Sequence, residues 1–148
     1  MRAATSRFRF ILMAICCGLL VASAGYETGS AAAPSAGMME YLEQRLGLND
    51  VQVHGALGAL LVFARDRLPK PEFDTLTARF PNAENMMEDA KLRGIVTRPL
   101  DDVETYEASL ETLGIPRPIA AQFVQGVLDY LDSAGYEDEH DILSKVVR

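Results

Sequence analysis

Cysteine, histidine and tryptophan are scarce in this sequence, which limits its chemistry. The chain of 148 residues has two cysteines, two histidines and no tryptophan. Cys16 and Cys17 both lie in an apolar stretch near the N-terminus that we expect to be removed. The mature chain then has no thiol for a disulfide, a nucleophile or a metal–thiolate site. The sequence therefore predicts a domain that is stabilised by packing alone.

The residue patterns that mark common catalytic sites are also missing. The chain has no H-E-x-x-H, G-x-S-x-G, P-loop or G-x-G-x-x-G sequence, which mark zinc proteases, hydrolases and nucleotide-binding proteins. We interpret His54 as a polar residue at the rim of a buried helix, because it stands alone in an apolar stretch. On these grounds we expect no enzyme activity, no catalytic residues and no cofactor.

Positive charge is in short supply. The chain has 14 lysines and arginines against 21 acidic residues. Three arginines and no acidic residue lie in residues 1–24, so residues 25–148 keep 11 basic against 21 acidic side chains, a net charge of -10. Such a surface repels phosphate backbones and anionic membranes. The sequence therefore predicts no nucleic-acid partner and favours basic partners and cations.

Residues 1–24 have the pattern of a cleavable secretory signal peptide. Three arginines come first, an apolar run follows over 10–21, and Ala22-Ser23-Ala24 forms a small-x-small cleavage site. A helix that spans a bilayer needs about 20 apolar residues, so this run is short for a membrane anchor. We expect cleavage before Gly25, export to the periplasm or the extracellular space, and no stable membrane span afterwards.

The rest of the chain reads as a short linker and one helical domain. Residues 25–37 are rich in glycine, alanine, serine and proline and are predicted to form a flexible linker. Over residues 38–148 the apolar residues recur at helical spacing, and no convincing run alternates as a β-strand does. Glycines and prolines divide this region into six or seven helices. The sequence therefore predicts an all-α compact bundle over 38–148.

Two of these predicted helices, 50–67 and 118–132, are apolar on more than one face. Helices of this kind are usually buried, so we expect these two at the centre and the others around them. Gly55 and Gly58 lie close to one face of the first helix, where small residues let a neighbouring backbone approach. The expected cost is about 1 kcal/mol of helix propensity for each glycine.

Local signals mark helix starts and an internal repeat. Asn49 with Gln52, and Asp101 with Glu104, have the spacing of capping boxes. The second half of the chain also resembles the first half weakly when two Leu-Gly turns are aligned. Helical periodicity alone produces such matches, so duplication and chance similarity both stay open. The aligned turns are Leu46-Gly47-Leu48 and Leu113-Gly114-Ile115.

The residues that follow these turns resemble a known family. The first half has a Gly-x-x-Gly-Ala-Leu-Leu helix over 55–61, and the pattern of the second half ends at Gly135. Over about residues 39–147 the pattern is similar to the VcgC/VcgE family of small exported bacterial proteins of unknown function. The chain departs from it in being more charged between residues 82 and 112. The resemblance implies an exported helical protein and supplies no catalytic residues.

One acidic cluster is a candidate metal site. Carboxylates with an imidazole suit divalent cations, although the spacing of a calcium-binding loop is missing. The alternative is a solvated helix start, where acidic residues are favoured, and we prefer this alternative. The cluster comprises Glu137, Asp138, Glu139, His140 and Asp141.

Two functions stay open for such a domain. The first is an interaction or structural module, with an unknown protein partner or a second copy of the chain. Four methionines are candidates to line an adaptable apolar groove, namely Met38, Met39, Met86 and Met87. The alternative is a carrier of a small apolar ligand or lipid, bound between the two apolar helices. The candidate pocket residues are Leu57, Leu61, Phe123 and Val127.

Overall fold

The computed structural model describes residues 34–80 and 82–148, with side chains from residue 37 onward. The predicted signal peptide, its two cysteines and residues 25–33 lie outside the described residues. Within the described ranges there are seven α-helices and no strand, which confirms the predicted all-α bundle. The helices are α1 (Pro34–Leu46), α2 (Asp50–Arg65), α3 (Lys70–Thr77), α4 (Ala83–Leu92), α5 (Val103–Leu110), α6 (Arg117–Ser133) and α7 (Glu137–Val146). A 3-10 turn, Glu111–Leu113, follows α5.

The structure differs from the predicted linker at one end. The sequence predicts a linker up to residue 37, whereas 34–37 belong to α1. Proline is favoured in the first turn of a helix, and Pro34 stands there. Gly37 lies against α6, since a Cβ at this position would be 2.8 Å from the hydroxyl oxygen of Tyr130. Packing against α6 therefore accounts for helix in a segment whose composition alone indicates flexibility.

The centre of the bundle is α2. Val53 and every residue over 55–64 are buried, so the helix is enclosed on all sides, as its composition predicts. It packs most extensively against α4 and also contacts α1, α3, α5 and α7. The other helix that was predicted to be central, α6, buries a broad face with Phe123 and Val127 and leaves Gln122 exposed on the opposite face. It therefore forms one wall of the core.

A close crossing of α2 and α4 confirms the prediction that glycine lets a backbone approach. A Cβ built at Gly58 would overlap the carbonyl oxygen of Met86 and would lie 3.2 Å from the Cβ of Ala90. At Gly55 the obstacles are side-chain ends, with the Ile95 and Leu113 methyl groups at 2.9 Å. Backbone contact at Gly58 therefore sets the distance between the two helices.

The two Leu-Gly turns end helical segments in the same way. Gly47 after α1 and Gly114 after the 3-10 turn have φ values of +66° and +72°, which L side chains rarely adopt. Each glycine is followed by two residues and then by a new helix, α2 or α6.

No single helix among the described residues has the length and apolarity to cross a bilayer. Helices 37–46 and 50–65 meet that test only when combined, and their axes are bent by 112°.

The helix starts repeat with the same spacing as the two Leu-Gly turns. Asp50 and Arg117 begin α2 and α6, and Lys70 and Glu137 begin α3 and α7. Both pairs have the sequence separation that also divides Gly47 from Gly114. The packing is reciprocal as well, because α1 contacts α6 while α2 contacts α5. These correspondences favour an internal duplication of a three-helix unit, with α4 inserted between the copies.

Two ion pairs where α3 meets α7 follow the same sequence spacing. Glu139 of α7 accepts a hydrogen bond from Arg79 Nε at 2.7 Å, and Glu72 of α3 lies 3.4 Å from Lys145 Nζ. The two glutamates occupy equivalent positions in the repeat, so each unit contributes an acidic residue to a pair with a cation of the other. Glu139 is buried with 4% of its surface exposed, and a buried carboxylate needs such a partner.

One predicted helix cap is confirmed and one is wrong. Asn49 Oδ1 accepts from the backbone N–H of Gln52 at 3.0 Å, and Gln52 Oε1 accepts from the N–H of Asn49 at 3.1 Å. For α5 the cap is Asp102, one residue after the predicted Asp101, since its carboxylate accepts from the N–H of Thr105 at 2.6 Å. Hydrogen bonds from the side chain and the backbone N–H of Thr105 lower the pKa of Asp102. The backbone carbonyl of Asp101 instead accepts a hydrogen bond from the Arg67 side chain.

The core centres on an aromatic pair between α2 and α5. The rings of Phe63 and Tyr106 stack with centroids 5.8 Å apart, and both side chains are fully buried. The Tyr106 hydroxyl donates a hydrogen bond to the backbone carbonyl of Ala56 at 3.3 Å. Burial raises the pKa of Tyr106 well above its ordinary value. The stacked rings and this one hydrogen bond therefore join α5 to the central helix α2 within the apolar core.

Candidate partner-binding groove

The residues predicted to form a carrier pocket meet in the core around a very small space. Leu57, Leu61 and Val127 line a void of about 10 Å³, whereas the fourth candidate, Phe123, is buried outside its lining. A space of this size holds about one water molecule, so these residues enclose no room for a lipid. The rest of the lining is Leu60, Leu76, Phe80 and Leu143.

The candidate cation cluster lies in the first turns of α7, where its side chains have separate surroundings. Glu139 is buried against Arg79, whose side chain also lies over the Tyr136 ring at 4.5 Å. The hydrogen bond that Arg79 donates to Glu139 raises the pKa of Arg79. His140 Nδ1 is 3.4 Å from Asp141 Oδ1. In residues 34–80 and 82–148, no three acidic, histidine or cysteine side chains are placed to hold a metal ion.

The two remaining members of the cluster, Glu137 and Asp138, are exposed at the start of α7. Acidic side chains at this position interact favourably with the helix dipole. The interpretation as a solvated helix start accounts for them, and the ion pair accounts for Glu139.

A groove lies on the surface between the end of α3 and the start of α4. Between the two helices, Phe80 N–H donates to the Thr77 carbonyl and Ala83 N–H donates to the Phe80 carbonyl, each at 2.8 Å. These tight turns bring the helix ends together and leave a groove of about 460 Å³. Its lining is apolar at Phe73, Ala78, Phe80, Ala83 and Met87 and polar at Asp74, Thr77, Asn82, Glu84 and Asn85. We call this feature the α3–α4 groove.

The rim of the α3–α4 groove is acidic. Asp74 pairs with Lys70 at 2.6 Å, whereas Glu84 forms no ion pair with any described residue. The Thr77 hydroxyl donates to the Phe73 carbonyl, so it does not project a donor into the groove. The exposed amide of Asn85 can donate and accept hydrogen bonds. An apolar floor with an uncompensated carboxylate at its edge suits a basic residue next to an apolar one.

Only one of the four methionines predicted to line a groove does so. Met38 and Met86 are core residues, with 1% and 3% of their surfaces exposed, and Met39 is half-buried against the core. Met87 is also a core residue, with 6% of its surface exposed, and it is the one that lines the floor of the α3–α4 groove. Its flexible thioether side chain adapts to different apolar partners.

His54 lies where the sequence analysis places it, at the edge of the central helix. Its side chain is 30% exposed, and Nε2 is 3.5 Å from Asp89 Oδ2 on α4. Arg93 lies 3.7 Å from the same carboxylate. No serine, threonine or tyrosine among the described residues forms a hydrogen bond with His54. His54, Asp89 and Arg93 therefore form a polar cluster where α2 meets α4.

The groove forms where the apolar stripe expected for a single helix is interrupted. The spacing of Phe73, Leu76 and Phe80 predicts one apolar stripe of a single helix, but α3 ends at Thr77. Leu76 and Phe80 are core residues, with 2% and 3% of their surfaces exposed, and Phe80 also reaches the groove floor, whereas Phe73 is half-buried and lines the groove. Pro81 is the sequence signal for this interruption, because the residue before a proline is disfavoured in helical conformation.

The fold is thus an all-α bundle packed around α2, with a groove between the end of α3 and the start of α4. The chain belongs to the family described as protein of unknown function VcgC/VcgE (DUF2780), whose model matches residues 21–147. This match confirms the resemblance inferred from the Leu-Gly turns and the glycine-containing helix. No curated protein and no solved structure matches the chain.

Proposed function

We propose that this protein is exported and acts as a non-catalytic interaction module that binds a partner protein through the α3–α4 groove. The observation that carries the proposal is the groove itself, about 460 Å³ of surface concavity lined by the half-buried Phe73, with the core residues Phe80 and Met87 at its floor. Concave apolar sites rimmed by polar groups are typical binding sites for one or two anchoring side chains.

The charge of the groove and of the chain indicates the chemistry of the partner. Residues 25–148 carry a net charge of -10, and Glu84 at the groove rim has no ion pair with a described residue. Electrostatic complementarity favours a partner with positive charge at the contact. The partner segment we propose is basic and presents an apolar side chain to the groove.

Two observations favour an interaction module over an enzyme or a lipid carrier. His54 is paired with Asp89 and has no hydroxyl partner among the described residues, so it lacks the arrangement of an activated nucleophile. The candidate carrier residues surround a void of about 10 Å³, which is far below the roughly 300–1,000 Å³ of ordinary ligand pockets.

Site-specific photo-crosslinking in the producing cell tests the groove. A photoreactive residue at Asn85 is expected to crosslink to a defined partner, while the same residue at Gln122, exposed on α6, gives none. Glu84→Lys should remove the Asn85 crosslink, because it puts a positive charge where the basic partner binds. Glu88→Lys is the matched control on the same helix, since Glu88 is exposed and does not line the groove.

Equal crosslinking from Asn85 and Gln122, or equal loss with Glu84→Lys and Glu88→Lys, would contradict the proposed groove. Circular dichroism of both variants checks that α4 still folds. The intact mass of protein recovered from outside the cytoplasm tests export in the same samples. A mature chain that begins at Gly25 is expected, and a full-length chain confined to the cytoplasm would overturn the exported role.

A further inference from the structure

A second groove lies at the other end of α3, where the start of that helix meets the end of α7. Its volume is about 470 Å³. Its lining has an apolar part and a charged part, comprising Arg67, Leu68, Pro69, Glu72, Lys145, Val146 and Arg148. We call this feature the α3–α7 groove, and it shares no lining residue with the α3–α4 groove.

The α3–α7 groove reverses the charge of the chain around it. Three cations and one carboxylate line it, in a chain whose residues 25–148 have 21 acidic and 11 basic side chains. Glu72 is 3.4 Å from Lys145, which leaves Arg67 and Arg148 without an ion pair to any described residue. Asp102 is near enough for Arg67 to contribute to lowering its pKa, although no ion pair joins them. The lining side chains of the groove therefore carry a net positive charge, with three cations against the single carboxylate of Glu72.

Arg67 is also held in place. Its guanidinium group donates to the backbone carbonyl of Asp101 and lies over the Phe63 ring, 4.3 Å from the centroid. These two contacts fix the side chain without neutralising its charge. A donor that is already ordered loses less conformational entropy when it binds a ligand. The arginine is thus a prepared donor for an anion.

We propose that the α3–α7 groove binds a small organic anion that carries a phosphate or carboxylate group beside an apolar portion. Arg67, Lys145 and Arg148 would hold the anionic group by charge-assisted hydrogen bonds. Leu68, Pro69 and Val146 supply apolar surface for the rest of the ligand. The volume lies within the range of ordinary ligand sites. This site is separate from the α3–α4 groove, and the proposal does not depend on partner binding there.

Nuclear magnetic resonance titration of the purified, ¹⁵N-labelled protein tests the site. Inorganic phosphate, phenyl phosphate and benzoate are added at constant ionic strength, so that general screening stays unchanged. Saturable amide shifts are expected around Leu68, Glu72 and Val146. Phenyl phosphate is expected to bind about fivefold tighter than inorganic phosphate, because its ring buries apolar surface. A response to benzoate alone would assign the site to carboxylates.

A pair of double variants with equal charge separates a binding site from general attraction. Arg67→Gln with Lys145→Gln is expected to weaken phenyl phosphate binding about tenfold or more, since two charged donors are lost. Lys91→Gln with Arg98→Gln removes the same charge from exposed cations that have no ion pair with a described residue, and should change affinity less than about twofold. Equal weakening in both double variants, or no saturable shift with any of the three anions, would overturn the proposal and leave Lys145 and Arg148 as cations that stabilise the end of α7.

Discussion

Replacing Gly58 by alanine is expected to destabilise the protein by about 1–3 kcal/mol, as overpacking of a core does. The added Cβ would overlap the Met86 carbonyl oxygen, which belongs to the backbone of α4 and cannot turn away. The two helices must therefore separate along their most extensive contact. This loss is expected although alanine has a helix propensity about 1 kcal/mol better than that of glycine. Urea unfolding followed by circular dichroism measures the difference in free energy of unfolding.

Gly126→Ala is the matched control for this prediction. Gly126 also lies within a long helix, α6, and gains the same helix propensity. The atom nearest its added Cβ is a methyl carbon of Leu42 at 2.9 Å, at the end of a side chain that can move. We expect a free energy of unfolding within about 1 kcal/mol of the parent protein. A Gly58→Ala protein as stable as the Gly126→Ala protein would show that backbone contact does not set the spacing of α2 and α4.

Much of the fold can be predicted from the sequence, because the signals that start and end its helices are local. Helix starts and stops follow from side chains that bond to nearby backbone, as at Asn49 and Gln52, and from glycines such as Gly47 and Gly114 that adopt positive φ. The close crossing at Gly58 follows from a small residue in an apolar helix. The cap at Asp102 escapes the prediction because two adjacent aspartates compete for one role, and the contact of Arg67 with the Asp101 carbonyl lies outside any local pattern.

The candidate groove could not be predicted from the sequence, because it depends on how separate helices pack and not on local signals. Phe73, Leu76 and Phe80 have the spacing of one apolar stripe, but the break between α3 and α4 leaves Phe73 half-buried in a groove while Leu76 and Phe80 stay in the core. The two apolar helices predict a shared core, but not whether a cavity is left in it, because that depends on how side chains from several helices fill space. The α3–α7 groove combines residues from before α3 with the end of α7, which are distant in sequence.

Replacing Tyr106 by alanine is expected to destabilise the protein by about 3–5 kcal/mol, the range for removing a large buried aromatic side chain. Tyr106 is fully buried and stacks on Phe63 of the central helix, so truncation leaves a cavity between α5 and α2. Domains of this size have a total stability of about 5–15 kcal/mol, so much of it would be lost. Thermal and urea unfolding of the variant measure the effect. A loss below about 1 kcal/mol would mean that the site collapses around the smaller side chain.

Tyr106→Phe separates the ring from the hydroxyl group. It keeps the stacking and removes only the hydrogen bond to the Ala56 carbonyl, which at 3.3 Å is long, so we expect a loss of at most about 1.5 kcal/mol near pH 7. At alkaline pH the difference in stability between the parent protein and the Tyr106→Phe variant is expected to change. Because burial raises the pKa of Tyr106 in the folded protein, the unfolded chain loses this proton first, and the parent protein loses stability as the pH rises above about 10. The phenylalanine variant has no such proton, so its stability relative to the parent should rise over this range. A difference between the two proteins that stays constant from pH 7 to pH 11 would contradict a buried, protonated Tyr106.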